Sequence, residues 1–258
     1  MTAPSTPLRT GSAKSQTLER GLDILETVMA NPQSTVSDIA RLRGLSYSTT
    51  HRIVSVLVAR GYLSTTDRNA LSLGPRLLEA GFVAQRALDI VKIARPKLEA
   101  LAAATGDTVH LARLEGQNVV YLDKLSSRRP MEIRTSVGSI RPAVTTGVGK
   151  ALLLDWADAD LRALYDSERD KIARTVDWPE WLSEMRKFSD AGVALDLGDA
   201  EPEIRCVAAP IRDGANVIVA AISVTSLQTY LRPERVEELI PMVKAVAREI
   251  GHILGNRS

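Results

Sequence analysis

Cysteine is almost missing from this chain. Cys206 is the only one in 258 residues, so an intrachain disulfide and a cysteine-rich zinc site are both excluded. A reducing, cytoplasmic compartment fits that usage. Aromatic residues amount to 4%. The core must therefore come from Leu, Val, Ile and Ala, and exposed ring platforms for single-stranded nucleic acid are disfavoured. The three histidines, His51, His110 and His252, lie far apart and form no H-E-x-x-H helix. Long apolar runs are absent. The longest, Val217–Ile222, has six residues, against the roughly 20 that a membrane-spanning helix needs. The Ser/Thr/Pro-rich stretch 1–16 lacks the apolar core of a signal peptide and is expected to be a disordered arm. A strong charge imbalance is also lacking: 33 Lys and Arg against 31 Asp and Glu leave +2.

What is present is an ordinary globular composition, 45% apolar and 25% charged. The length allows one large domain or two of common size. The charge, however, is unevenly spread. Residues 1–80 carry nine basic and six acidic side chains, while the remainder carries 24 and 25. Within 46–76 four arginines, Arg52, Arg60, Arg68 and Arg76, face one acid, Asp67. An electrostatic footprint for a polyanion belongs there.

The first 80 residues predict three short helices and a hairpin. Leu22, Leu25, Val28 and Met29 recur at helical spacing in a helix from Leu18 to Ala30, which Asn31-Pro32 stops. Val36 to Arg43 is a second helix, with Ser37 as its N-cap and Gly44 at its end. Ser46 caps a third helix whose buried face is Ile53, Val56 and Leu57. Tyr62–Thr65 and Ala70–Leu73 flank a turn at 66–69, giving a wing. A helical pattern from Gly74 to Thr105 is interrupted at Pro96, which predicts a linker helix ending near Arg95. Strand-like runs follow at Val109–Leu114, Val119–Leu125 and Met131–Val137, then helices over 149–188. Strands return at Val207–Ile211 and Val217–Thr225, and a helix at Pro233–Leu254 closes the chain. This order predicts an α+β fold with a mostly antiparallel sheet.

The third helix opens with short polar donors followed by an arginine: Ser46, Tyr47, Ser48, Thr49, Thr50, His51 and Arg52. A helix so built suits the major groove of double-stranded DNA, with Arg52 matched to a guanine edge or a phosphate. Arg68 at the wing tip, and Arg9 and Lys14 in the arm, supply further contacts. The same residues also describe a capped helix with a solvated face.

Several stretches resemble the IclR family of bacterial transcriptional regulators. They are Leu18–Leu25, Ser48–Ile53, Arg60–Leu63, Leu73–Leu78, Thr105–Leu111, Val120–Lys124, Gly149–Leu153, Arg205–Pro210 and Leu231–Arg235. Together they span about residues 17 to 255. The resemblance implies a winged helix-turn-helix domain at 17–76, a linker helix at 77–95, and a GAF-like effector-binding and oligomerisation domain at 96–258. It implies a homodimer or homotetramer on a palindromic operator, commonly as a repressor of a catabolic operon.

The second half carries two candidate ligand-holding segments. Pro142–Lys150 is a Gly-containing loop running into a helix, where free N–H groups suit a carboxylate. Ser223 and Thr225 alternate on one strand face, where two inward hydroxyls need polar partners. The family resemblance places an effector pocket at Gly147, Val148, Asp196, Cys206, Ser223 and Thr225, with Ile133 on an apolar lid strand. It implies a small organic or aromatic acid as effector. The chain departs from the family at Asp199, where glutamate is usual, and at Arg212, where an aromatic is usual. Plainer roles remain for each residue: Cys206 as a small core residue, Asp196 as a turn cap, the glycines as a simple helix start, and Ser223 and Thr225 bonded to backbone.

Enzyme signatures are weak. Gly149-Lys150 lacks the earlier glycine of a phosphate loop, and Ala151 stands where Ser or Thr is needed. No G-x-S-x-G elbow exists, and no motif calls for a cofactor. The alternative that survives is a Cys/His hydrolase built on Cys206 and His110.

Overall fold

A computed structural model describes residues 15–66, 69–87, 89–130, 133–174 and 176–257; the side chains of 82 and 84–87 are not described. The chain divides into two compact units, Met1–Ala87 and Leu88–Ser258.

The first unit follows helix, helix, helix, hairpin, helix: α1 (Gln16–Ala30), α2 (Val36–Arg43), α3 (Tyr47–Ala59), β1 (Leu63–Thr65), β2 (Leu71–Leu73) and α4 (Pro75–Ala87). Its core is Ile24, Val28, Ile39, Ile53, Val54, Leu63 and Leu71. Three expectations need correction. On α1 the buried face is Ile24, Thr27 and Val28, while Leu22 and Met29 are 52% and 58% exposed. On α3 the buried face is Thr50, Ile53 and Val54, and Val56 stays outside. In both helices apolar side chains recur on two faces, so spacing alone did not identify the packed one. The cap of α2 is Thr35, not Ser37. Thr35 Oγ1 accepts from the Asp38 N–H, and the Asp38 carboxylate accepts from the Thr35 N–H, a reciprocal capping box.

The expected helix boundary at Pro96 also moves. α4 ends at Ala87, and α5 (Ile90–Thr105) runs through Pro96. Asp89 caps α5 by accepting from the N–H groups of Val91 and Lys92. A proline inside a helix removes one bond and costs about 3 kcal/mol. Burial of Ala94, Leu98, Leu101 and Thr105 along one side of α5 offsets that cost.

The second unit is built on a six-stranded sheet in the order β5-β4-β3-β8-β7-β6, with every neighbouring pair antiparallel. The strands are β3 (Thr108–Glu115), β4 (Asn118–Leu125), β5 (Ile140–Pro142), β6 (Ala194–Asp196), β7 (Ile204–Arg212) and β8 (Ile218–Leu227). Between β5 and β6 lie α6 (Gly147–Leu152), α7 (Asp158–Glu168) and α8 (Trp178–Ala191); α9 (Pro233–Ile253) follows β8.

The strand alternation gives the sheet two unlike faces. Val109, Leu111, Val207, Ile211, Ile222 and Val224 face α5 and α9 in one continuous core. The other face is lined by small residues, Ala112, Ala194, Ala208 and Ala221, against which α6 and the Trp181 region pack. Small side chains let α6 approach closely and leave room beside it.

The strand expected at Met131–Val137 is not formed. Residues 131 and 132 lie outside the described set, and 133–137 are irregular. Lys124 Nζ donates to the carbonyls of Ile133 and Thr135 at 2.8 and 2.9 Å, taking acceptors that a strand ladder would use. The edge beside β4 is filled instead by β5, with Val119 opposite Arg141.

Candidate nucleic-acid interface and effector cavity

α3 presents one face to solvent. Tyr47, Ser48, His51 and Arg52 are exposed, and Arg52 makes no ion pair or side-chain hydrogen bond among the described residues. The rings of Tyr47 and His51 lie 5.9 Å apart, one helical turn from each other. Ser46 caps the helix by accepting from the Thr49 N–H at 3.2 Å, and its hydroxyl also bonds Thr49 Oγ1 at 2.9 Å. Those two residues shape the helix start. Thr50 differs from the expectation for it. It is fully buried and donates to the Ser46 carbonyl at 3.1 Å, so its hydroxyl faces inward. Arg68, Arg9 and Lys14 lie outside the described residues.

The second unit contains a cavity of about 250 Å³ on the α6 face of the sheet. Ile133, Gly147, Val148, Asp196, Cys206, Ser223 and Thr225 all line it. The strand register explains the convergence. Asp196 on β6 is opposite Cys206 on β7, and Cys206 is opposite Thr225 on β8. One step along, Ala208 is opposite Ser223, and Ser223 is opposite His110 on β3. Two rows of side chains thus cross the sheet beneath α6. At Gly147, a Cβ would sit 2.6 Å from Cys206 Sγ, so only glycine lets α6 settle on β7 at this point.

His110 belongs to this wall, although sequence spacing did not select it. Its Nε2 lies 2.7 Å from Thr135 Oγ1 and its Nδ1 lies 3.5 Å from Ser223 Oγ. Ser223 Oγ is 3.3 Å from Thr225 Oγ1. Burial, helped by the nearby Lys124 charge, pushes the imidazole pKa down to about 3, so it is neutral at pH 7. The Tyr121 ring lies beside His110, with centroids 4.8 Å apart and planes tilted by 43°. Arg141 and Lys171 also line the cavity and were not anticipated. Arg141 sits on the three-residue β5 and Lys171 in a short helical turn after α7, neither within a motif that marks it, and the folded chain brings them to the site.

Asp196 is held in a tight turn. Its Oδ1 accepts from the N–H groups of Gly198 and Asp199 at 3.0 and 2.7 Å. Burial raises its pKa above the ordinary carboxylate range despite the favourable Lys150 charge. Beneath the turn, Asp199 pairs with the buried Lys150 and with Arg174 Nε at 2.6 Å, and Arg174 reaches on to Glu184 at 2.7 Å. Burial acts to raise the Asp199 pKa, but the two cations outweigh it and hold the carboxylate ionised. Lys150 also donates to the Leu195 carbonyl at 3.1 Å. The network therefore fixes the 195–199 segment that presents Asp196 to the cavity. Arg212 forms a two-pronged ion pair with Asp155 at 2.5 and 2.7 Å and does not line this cavity.

The pairing of Cys206 with His110 lacks the states thiol chemistry requires. Burial pushes the thiol up to about 11, and His110 bonds Thr135 and Ser223. At neutral pH this gives a thiol and a neutral imidazole, not a thiolate–imidazolium pair. Among the described residues no cluster of His, Cys, Asp and Glu is arranged to hold a metal ion. Among the described residues no helix is long and apolar enough to cross a membrane.

Comparison with known proteins agrees with this architecture. Residues 17–67 match the IclR helix-turn-helix domain, and residues 83–252 match the family described as bacterial transcriptional regulator IclR C-terminal. The chain is 30% identical over 248 residues to the HTH-type transcriptional regulator XynR of Escherichia coli (strain K12), covering 92% of this chain and 98% of that one. It is 28% identical over 247 residues to the HTH-type transcriptional repressor AllR of the same strain, covering 93% and 90%. Among solved structures, the Agobacterium tumefaciens repressor BlcR superposes with a TM-score of 0.75 at 25% identity, covering 96% of this chain and 100% of that one. Thermotoga maritima IclR gives a TM-score of 0.61 at 27% identity, covering 94% and 100%. With both family segments matched in order and relatives aligned nearly end to end, the chain is a member of the IclR family of helix-turn-helix transcriptional regulators.

Proposed function

We propose that this chain is a repressor that reads a palindromic operator through α3 and responds to a small organic or aromatic acid held in the cavity beneath α6. The observation that carries the reading is the cavity itself: polar side chains from four strands and the α6 start converge on about 250 Å³ of space. That size suits a compact metabolite rather than a large cofactor. Repression is favoured by relatives named as repressors, AllR and BlcR. Tyr47, Ser48, His51 and Arg52 are the proposed readers, with Ser46 and Thr49 shaping the helix start and Arg68, outside the described residues, as a further proposed contact. A homodimer sets two α3 helices in successive major grooves about 34 Å apart, and a tetramer holds two such pairs. Ligand binding must favour one arrangement of the DNA-binding units over another, since equal affinity for both shifts nothing. α4, as the linker, is the element proposed to carry that change.

The test is selection of bound fragments from a genomic DNA pool by the immobilised chain. An enriched inverted repeat, lost on Arg52→Ala, supports the reading. Retention of DNA without any sequence enrichment contradicts it.

A further inference from the structure

A second depression lies on the α9 face of the sheet, where the last turns of α9 settle on the end of β7. It encloses about 260 Å³. Gly251 makes the approach possible. A Cβ there would sit 2.9 Å from the Arg212 carbonyl oxygen, so only glycine lets α9 come this close to β7. Lys244, Arg248 and Gly251 are spaced four and three residues apart, which puts them on one helix face. Both cations are thereby brought to the depression, together with Arg212 of β7 and Asn216 of the turn that follows.

Charge inside the depression is one-sided. Three of its lining residues are cations and none is a carboxylate. Arg212 is balanced from outside by its two-pronged pair with Asp155, which uses Nη1 and Nη2 and leaves Nε out of the pair. Nη1 also donates to the Asn216 carbonyl at 2.9 Å, so this guanidinium is held as a fixed wall. The other two cations are not balanced. Lys244 Nζ donates to the Ala191 carbonyl at the end of α8, at 2.5 Å, and pairs with no carboxylate among the described residues. One bond holds its ammonium in place, and an ammonium has three donors. Arg248 is exposed and makes no ion pair or side-chain hydrogen bond among the described residues. Its neighbour Glu249 pairs with Lys97 instead.

Two unbalanced positive charges one helical turn apart match a dianion better than a monoanion. A phosphate monoester carries a charge of about −1.5 to −2 at pH 7 and three acceptor oxygens. Arginine forks onto two such oxygens, and lysine meets them as a point charge. We infer that this depression is a second ligand site, for inorganic phosphate or the phosphate group of a small metabolite, held by Lys244 and Arg248 against Arg212. The site is separate from the α6 cavity and does not depend on the acid-sensing reading. The competing account gives Lys244 and Arg248 only the role of offsetting the carbonyl ends of α8 and α9, and then no phosphate binds here.

The experiment is calorimetric titration of the full chain, at constant ionic strength, with inorganic phosphate, glycerol phosphate and, as a monoanion control, acetate. Wild type should show saturable binding of at least one phosphate and prefer it at least ten-fold over acetate. Arg248→Ala and Lys244→Met should each weaken that binding at least ten-fold. Arg235→Ala changes an α9 cation outside the depression and should bind as wild type does. Arg52→Ala and Ser223→Ala, which report on the first unit and on the α6 cavity, should also bind as wild type does. Melting temperatures of the unliganded variants check folding; if Lys244→Met melts early, Arg248→Ala decides, because Arg248 holds nothing in the fold. Tighter binding of glycerol phosphate than of inorganic phosphate assigns the site to a phosphorylated metabolite, and equal or weaker binding assigns it to free phosphate; either result upholds the site. Unchanged binding in Arg248→Ala, loss of binding in Arg52→Ala or Ser223→Ala, acetate bound as tightly as phosphate, or no saturable binding by wild type would each overturn it.

Discussion

At the scale of single residues, His110 joins the stability of the fold to pH. Its folded pKa of about 3 lies below the ordinary 6.5 because burial disfavours the charged ring. Above pH 6.5 both folded and unfolded states hold it neutral, and its contribution is fully in place. As pH falls from 6.5 toward 3 the unfolded chain takes up a proton that the folded chain refuses, so stability declines. The slope from this group approaches about 1.4 kcal/mol per pH unit. Urea unfolding at pH 7.5, 6 and 5 should show that decline, and His110→Gln should flatten it; an equal slope in the variant would assign the acid sensitivity to other groups. Gly147 offers a second test. An added methyl group meets Cys206 Sγ at 2.6 Å. Gly147→Ala should therefore destabilise the second unit by about 1–3 kcal/mol through overpacking, and Cys206→Ala in the same chain should recover part of that loss. Lack of recovery would locate the strain elsewhere.

At the scale of elements, the segment 195–199 depends on the buried Lys150–Asp199–Arg174 network. Asp199→Ala leaves Lys150 buried without its partner, a change worth about 3–5 kcal/mol. Thermal unfolding should show that loss, and Asp199→Asn should fall between the two. A variant as stable as wild type would mean that Leu195 and water hold Lys150 adequately. The elements also show what the sequence conveyed and where it stopped. Period-two alternation in the expected strand Val217–Thr225 marked Ser223 and Thr225 as sharing a face, and the register then set Cys206 and Asp196 beside them. His110 was one strand away on the same face, but only the pairing of β3 with β8 brings it there. Arg141 was less legible still, because β5 is three residues long and its neighbour β4 is far from the α6 loop in sequence order. Helix faces were misjudged where exposed apolar residues such as Leu22 and Val56 imitate a core stripe. Pro96 misled because local propensity was outweighed by packing of α5 on the sheet.

At the scale of the whole molecule, the near-zero net charge conceals a basic first unit and a slightly acidic second one. That division matches a chain in which one unit contacts a polyanion and the other holds a metabolite. Bulk attraction to DNA is then modest, and under the proposed function selectivity comes from groove contacts and from pairing two copies of the chain. Arg52→Ala should weaken operator binding by about 1–3 kcal/mol if the side chain reads a base, as fluorescence anisotropy on the selected operator would measure. The central claim is that occupancy of the cavity changes DNA affinity. Its most direct test is anisotropy of the same operator during titration with the acid that wild type binds, for wild type and Ser223→Ala in parallel. The account predicts equal operator affinity for both proteins without ligand, a clear ligand-driven shift for wild type, and at least ten-fold more acid for the same shift in the variant. A shift of the same size at the same concentration in both proteins, or no shift in wild type with the cavity occupied, would contradict it.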